Sequence, residues 1–111
     1  GWKLGALSNG NADVRRVGLG DCFDFALNAD ALGVGKPDVA VFNAALGRAG
    51  VQPHHAVHVG DNPRDDMLGA LNAGWQAVWY NPNCLPWPGG TAPQAQIRQL
   101  QALPAALERL A

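Results

Sequence analysis

Short apolar segments alternate along this chain with segments whose apolar residues recur at helical spacing. Glycine, proline and asparagine bound the apolar segments, and these residues mark turns. Each apolar segment has the length of a buried strand. Because helical segments separate the strands, the pattern predicts an α/β fold with a parallel sheet and helices on its faces. Strands are predicted at residues 3–8, 23–27, 56–59, 76–80 and 95–100.

The predicted helices begin and end at residues that favour helix termini. Pro37 is expected at the first helical position, which its restricted φ suits, and Gly50 is expected to end that helix. Asn62 and Pro63 are expected to cap and open the next helix. Helices are also predicted at 11–19 and 104–110. The apolar face of the helix after Pro37 is predicted to contain Val39, Phe42, Leu46 and Ala49.

The composition restricts the classes of protein to which this chain can belong. Its 111 residues, 48% of them hydrophobic and 15% charged, indicate one globular domain over residues 1–111. A net charge of -1 argues against a nucleic-acid partner, and no apolar run is long enough for a membrane helix. Cys22 and Cys84 form no C-x-x-C pair and are expected to be buried or half-buried thiols. A cytoplasmic location follows by default.

Three acidic residues follow the predicted strand at 56–59 closely. Asp61, Asp65 and Asp66 lie within six residues, and carboxylates at a strand end suit a hard divalent cation such as Mg²⁺. The alternative is that Asp65 and Asp66 stabilise the first turn of a helix by about 0.3–1 kcal/mol each. Asp61 precedes that helix, so the alternative does not explain it.

Two further polar positions are expected at the same edge of the sheet. Ser8, Asn9 and Gly10 follow the first strand, where a hydroxyl and backbone N–H groups could bind phosphate. The alternative is a plain Asn-Gly turn. Lys36, one of two lysines, stands between Gly35 and Pro37 and could neutralise phosphate or carboxylate charge. Its alternative is an ordinary surface lysine.

The three histidines are not expected to bind a metal. His54 and His55 follow Pro53 in a loop and are predicted to be solvated. His58 lies among small apolar residues of a strand, so we expect it to be packed or hydrogen-bonded in the interior.

The order of these motifs resembles the haloacid dehalogenase-like hydrolase superfamily. An apolar strand precedes Ser-Asn-Gly, Gly-Lys-Pro-Asp precedes a helix, and a second apolar strand precedes G-D-x-x-x-D-D with G-A-L-N-A-G. The resemblance runs from Lys3 to Tyr80, and residues 58–79 are its most specific part. The segment 86–104 resembles the end of bacterial members. The fold implied is a Rossmann-like three-layer α/β/α domain.

The resemblance implies a role for each polar position. Members are mostly Mg²⁺-dependent phosphatases that act on small phosphorylated substrates through an aspartyl-phosphate intermediate. By position, Ser8 resembles the hydroxyl that binds the transferring phosphoryl group, and Asn9 and Gly10 would add hydrogen-bond donors. Lys36 resembles the lysine that steadies the nucleophile and the phosphate. The acidic residues resemble the metal-binding motif: Asp61 as a ligand, Asp66 as the second acid that supports the metal or the lysine, and Asp65 as a neighbouring helper.

The sequence departs from the family in one respect. The first motif of the family, D-x-D, is absent from these 111 residues. The resemblance therefore implies that the nucleophile, the general acid and any cap domain lie upstream of Gly1. The family's first strand is central in its sheet, between the strands of motifs two and four. We therefore expect an incomplete domain, two half-sheets with unpaired edges, and self-association or pairing with an N-terminal half.

Three functions remain open at this stage. The first is the C-terminal part of a Mg²⁺-dependent phosphatase, which the acids at 61, 65 and 66 favour. The second is a haloacid dehalogenase, whose relatives need no metal and usually lack the Gly-Asp start of the fourth motif. The third is a non-catalytic half-domain that binds a partner chain. The 111 residues alone are predicted to be inactive.

Overall fold

A computed structural model of the chain describes residues 3–8 and 24–110. It contains five strands in two parallel sheets. In the first sheet, β1 (Gly5–Ser8) pairs with β2 (Phe25–Asn28). In the second, β4 (Gln76–Tyr80) lies between β3 (Val57–Gly60) and β5 (Ala95–Ile97). The parallel α/β fold predicted from the sequence is confirmed. The predicted helix at 11–19 lies outside the described residues.

Helix α1 (Val39–Ala49) begins two residues later than predicted. Asp38 is its N-cap, because the Asp38 side chain accepts a hydrogen bond from the Ala40 N–H at 2.9 Å. Pro37 therefore precedes the cap, and its placement at the first helical position was wrong. Gly50 ends the helix as expected, with a φ of 71° and its N–H bonded to the Leu46 carbonyl.

The buried face of α1 also differs from the predicted face. Val41, Phe42 and Ala45 are buried, whereas Val39 is 45% exposed. Val39 is the first residue of the helix and is exposed, and the buried residues begin at Val41, within the first turn. Phe42 is the one member of the predicted face that is fully buried.

Strand β4 lies at the centre of the core, because its alternate side chains pack on the two opposite faces of the sheet. On one face, Ala77 and Trp79 pack in a cluster with Phe42 of α1 and with Met67 and Ala70. On the other face, Val78 packs with the buried residues Ile97 of β5 and Ala106 of α3 (Leu103–Leu110). Helices therefore cover both faces of the second sheet, which gives the expected three layers.

The chain between β3 and β4 begins with a wide helical turn. Pro63–Leu68 is a π-helical turn that continues as α2 (Gly69–Asn72). Asn62 caps it, since its side chain accepts hydrogen bonds from the N–H groups of Arg64 and Asp65, each at 2.9 Å. The predicted Asn62-Pro63 helix start is confirmed.

The two sheets do not share a strand pair within residues 3–8 and 24–110. A cavity of about 550 Å³, here called the β1–β3 cavity, is lined by residues 4–7 of the β1 segment and 56–60 of the β3 segment. The split of the strands into two half-sheets agrees with the expectation from the sequence. No helix in the described part of the chain is long and apolar enough to cross a membrane.

Cys84, in the loop between β4 and β5, also differs from expectation. It is exposed, so its prediction as a buried or half-buried thiol was wrong. Its φ of 54° places it in a tight turn of the loop, where the Cys84 N–H bonds to the Asn81 carbonyl. Cys22 lies outside the described residues.

Candidate active site

The carboxyl end of β1 carries the first predicted site residue. Ser8 is the last residue of β1, and its strand position is paired with Asn28 of β2. Asn9 and Gly10 lie outside the described residues. The phosphate-binding role of Ser8, Asn9 and Gly10 therefore remains a prediction.

Lys36 and Asp66 form the central contact of the site. The Lys36 Nζ donates a hydrogen bond to Asp66 Oδ1 at a distance of 2.5 Å. Both side chains are mostly buried, with 12% of the Lys36 side chain and 8% of the Asp66 side chain exposed. Lys36 comes from the segment before α1, and Asp66 comes from the helical turn after β3. The alternative of an ordinary surface lysine does not fit this burial.

The Asp66 carboxylate has two further hydrogen-bond donors. His58 Nε2 lies 2.9 Å from Oδ1, and the Asn62 N–H donates to Oδ2 at 3.1 Å. Burial would raise the pKa of Asp66, but the hydrogen bonds and electrostatic interactions with His58 and Lys36 hold that pKa well below its usual range. Asp66 is therefore an ionised carboxylate at neutral pH.

The backbone at Gly60 allows Asp66 to enter this position. A Cβ at residue 60 would overlap the Asp66 carboxyl group, so only glycine leaves room for it at the end of β3. The π-helical turn, capped by Asn62, then directs Asp66 inward. In the sequence G-D-N-P-R-D-D, Gly60 thus leaves space for the carboxyl group, Asn62 caps the turn, and Asp66 is the buried acid.

Asp61 occupies a different environment from Asp66. It is exposed directly after β3, and its backbone carbonyl accepts a hydrogen bond from Trp79 Nε1 at 2.8 Å. Within the described part of the chain, no hydrogen bond or ion pair engages its carboxylate. Asp65 is half-buried in the first helical turn. The three neighbouring acids therefore lie in different environments: Asp61 is exposed at the strand end, Asp65 is half-buried in the helix start, and Asp66 is buried.

The carboxyl edge of the sheet offers an oxygen ligand of the kind that a hard cation requires. The Asp61 carboxylate is an exposed oxygen ligand at the carboxyl end of a parallel strand, which suits Mg²⁺. Among residues 3–8 and 24–110, no group of three or more His, Cys, Asp or Glu side chains is placed to bind one metal ion. The residues present fit a cation held in part by the exposed Asp61 carboxylate.

The histidines behave as the sequence suggests, but His58 has more contacts than expected. His54 and His55 are exposed. His58 is 9% exposed, hydrogen-bonded to Asp66, and packed edge-to-face against Phe42 and Trp75. Its position in an apolar strand indicated burial. No signal in the sequence connected it to Asp66, because that contact depends on how the turn after β3 folds back.

Comparison with known proteins adds independent information. A sequence profile described as a haloacid dehalogenase-like hydrolase matches residues 1–74. The phosphoserine phosphatase of Thermus thermophilus is 37% identical over 106 residues, which is 91% of this chain and 43% of that protein. The chain therefore spans less than half the length of this relative.

Solved structures are similar over nearly the whole chain. A 2-haloacid dehalogenase from Pseudomonas syringae pv. Tomato has a TM-score of 0.96 and 54% identity, and the match covers 99% of this chain and 48% of that one. A phosphatase from Thermococcus onnurineus, described as a member of the same family, has a TM-score of 0.84 and 34% identity over 96% of this chain and 51% of that one. The similar proteins thus include both phosphatases and dehalogenases.

Proposed function

The chain belongs to the haloacid dehalogenase-like hydrolase family, and we propose that it forms the C-terminal part of a Mg²⁺-dependent phosphatase for a small phosphorylated metabolite. The reaction would proceed through an aspartyl-phosphate whose Asp lies outside these 111 residues. We also propose a cytoplasmic location. Two observations carry the proposal: the buried Lys36–Asp66 pair, and the exposed Asp61 carboxylate directly after β3.

The proposed mechanism gives each residue one task. Lys36 is held by Asp66 and would place its ammonium group where phosphate and nucleophile charges meet. Asp66 would remain ionised because of its donors, and so would keep Lys36 oriented. Ser8, with Asn9 and Gly10, would bind the phosphoryl oxygens. Asp61, assisted by Asp65 and by Asp66 Oδ2, would hold the cation.

The cation would contribute electrostatic stabilisation. Mg²⁺ bound by Asp61 would neutralise negative charge on the phosphate oxygens. The protein's part is to keep one carboxylate exposed for this purpose, and Trp79 contributes by fixing the Asp61 backbone through its indole N–H.

A dehalogenase is the second candidate, because the structure with 54% identity is described as one. Dehalogenases resemble phosphatases in fold but need no metal, so an exposed acid at the end of β3 has no evident use in them. The Gly60-Asp61 sequence and the exposure of Asp61 therefore favour the phosphatase. A non-catalytic half-domain that binds a partner chain is the third candidate, and the test below separates it from the other two.

The test uses the parent polypeptide, meaning this chain together with whatever residues flank it in the natural protein. Release of phosphate from an aryl phosphate and from phosphoserine is measured with Mg²⁺ and with EDTA, and release of chloride from 2-chloropropionate is measured in parallel. We expect Mg²⁺-dependent phosphate release, which Asp61→Ala abolishes. Asp38→Asn is the matched control, since asparagine also caps helices and Asp38 lies outside the site.

Each result assigns the protein to one candidate. Chloride release without Mg²⁺ would replace the phosphatase by the dehalogenase. An unchanged phosphate release in Asp61→Ala would remove the metal-binding role of Asp61. No release of either product would favour the non-catalytic half-domain. The 111 residues alone are expected to release neither product.

A further inference from the structure

His58 and Lys36 contact the same oxygen atom of Asp66. The His58 Nε2 lies 2.9 Å from Asp66 Oδ1, which accepts the Lys36 hydrogen bond as well. An ionised carboxylate can only accept hydrogen bonds, so the proton of this contact is on Nε2. With the Asn62 N–H on Oδ2, the carboxylate has donors on both oxygens. Asp66 is thus held by a strand, a loop and a helix cap at once.

Two aromatic rings fix the orientation of the His58 imidazole. The Phe42 ring lies 5.3 Å from it at an interplanar angle of 88°, and the Trp75 ring lies 6.2 Å from it at 80°. Phe42 and Trp75 also pack against each other, with centroids 5.4 Å apart. The imidazole is therefore enclosed by two rings that contact each other, and its Nε2 is directed at Asp66.

The same packing extends to the segment that carries Lys36. A Cβ at Gly69 would lie 2.7 Å from Cε2 of Phe42 and 3.1 Å from Cα of Pro37, so α2 approaches both residues closely. Pro37 directly follows Lys36 in the chain. Phe42 therefore touches both the ring of His58 and the helix that packs against the lysine segment. His58 and Lys36 are positioned by one packed unit.

The lysine alone cannot fix the carboxylate. The ammonium group of Lys36 is a compact charge that can donate in several directions, so its hydrogen bond sets the direction of Oδ1 less strictly than a planar ring does. The His58 ring is buried and packed against Phe42 and Trp75, so its Nε2 donates in one direction. Removing the Nε2 donor would leave Asp66 Oδ1 without the donor whose direction the packing fixes.

We propose that His58 is a positioning residue, which orients the Asp66 carboxylate and through it the ammonium group of Lys36. The consequence for turnover rests on the proposed function, whereas the positioning itself is independent of any substrate. The test compares His58→Gln, which keeps an amide donor near the place of Nε2, with His58→Met, which has similar length and no donor. His55→Met, at an exposed histidine, is the matched control.

The first measurement is steady-state phosphatase kinetics of the parent polypeptide. We expect His58→Met to lower kcat about tenfold or more with KM changed less than about threefold, because orientation is lost while charge remains. His58→Gln should recover most of kcat, and His55→Met should match the unaltered protein. Equal losses in His58→Gln and His58→Met would show that the ring only fills space, which overturns the proposal.

The second measurement needs no substrate. The rate of acetylation of Lys36 by acetic anhydride is followed by peptide mass spectrometry, with Lys3 as the internal reference. We expect Lys36 to be labelled about threefold faster or more in His58→Met, and at the original rate in His58→Gln. Unchanged labelling in His58→Met would overturn the positioning role. If labelling follows this expectation while the unaltered protein releases no phosphate, the proposed function fails and the positioning role stands.

Discussion

Lys36 and Asp66 are thirty positions apart in the chain, and their charged groups meet at 2.5 Å in a nearly buried site. The sequence resemblance implies that Asp66 supports the metal or the lysine, and in the structure Asp66 contacts Lys36 directly. The pair joins the segment before α1 to the turn after β3. It therefore contributes to the stability of the fold as well as to the chemistry of the site.

Replacement of Lys36 by methionine should lower both the stability of the fold and the activity of the site. Asp66 would lose its fully charged donor and remain buried, so we expect a loss of about 3 kcal/mol in the free energy of unfolding. Phosphatase activity should fall about a hundredfold or more, because a charge at the phosphate site is removed. Urea denaturation and phosphate-release assays of the parent polypeptide measure the two effects.

Lys3→Met is the control for this prediction, since Lys3 is the other lysine of the chain. Lys3 is exposed and its Nζ donates to the Ala49 carbonyl at 2.9 Å. Its replacement should cost less than about 1 kcal/mol and leave activity unchanged. Equal effects of the two replacements would contradict the central role given to the Lys36–Asp66 pair.

The depressed pKa of Asp66 predicts how stability depends on pH. His58 and Lys36 hold that pKa below the value of about 3.9 expected in the unfolded chain, against the opposing effect of burial. In acid, the unfolded state therefore binds more protons than the folded state, and stability rises with pH. The contribution of Asp66 should be complete above about pH 5 and should decrease as pH falls through 4 and below.

The measurement compares the parent polypeptide with its Asp66→Asn variant. Free energies of unfolding in urea are determined between pH 6 and pH 3. The difference between the two proteins should be largest at pH 6 and should shrink as the solution becomes more acidic. A difference that stays constant or grows in acid would have the wrong sign and would contradict the depressed pKa.

A methyl group at Gly60 should displace the buried acid. The added Cβ would overlap both the Cβ and the carboxyl group of Asp66, so the Asp66 side chain would have to move. We expect Gly60→Ala to lower the free energy of unfolding by about 1–3 kcal/mol and to reduce activity. Thermal unfolding and phosphate release of the variant measure both.

Gly47→Ala is the control for Gly60→Ala, because the same substitution should stabilise the protein at position 47. Gly47 lies within α1, is exposed, and a Cβ there would meet nothing within 4 Å. Alanine should stabilise the helix by about 0.5–1 kcal/mol and leave activity unchanged. If Gly60→Ala were as harmless as Gly47→Ala, the close approach of Asp66 to β3 would be refuted.

The β1–β3 cavity predicts that the isolated 111 residues are only marginally stable. Within the described residues, β1 and β3 each have an edge that pairs with no strand, and such edges favour association with another chain. Trp75 lines the same cavity, and its indole N–H is buried without a hydrogen-bond partner among those residues. A backbone carbonyl of an inserted segment would satisfy it.

Light scattering after size-exclusion chromatography, together with thermal unfolding, tests this prediction on the 111 residues. We expect association with a second copy, or a broad transition at low temperature. The parent polypeptide should instead unfold in a sharper transition. A monomer of the 111 residues with a sharp transition at high temperature would contradict the prediction.

Local sequence determined the elements and their order. The order of the strands, the Asn62 cap and the Gly50 helix end depend on neighbouring residues, so they could be predicted without a structure. The strand bounds were less exact, since β5 ends at Ile97, three residues before its predicted end. The start of α1 and its exposed Val39 were missed, because the Asp38 cap competes with Pro37 for the first turn and the buried face depends on what the helix packs against.

The arrangement of the site was decided by tertiary structure. The order of the motifs predicted Lys36, Asp61 and Asp66 at the carboxyl edge of a parallel sheet, because ligands of such sheets bind beyond the carboxyl ends of the strands. That Asp61 is exposed while Asp66 is buried, and that His58 and Lys36 share one oxygen of Asp66, depends on packing among β3, α1 and α2. Contacts between residues distant in the chain arise only when hydrophobic layers bring their backbones together.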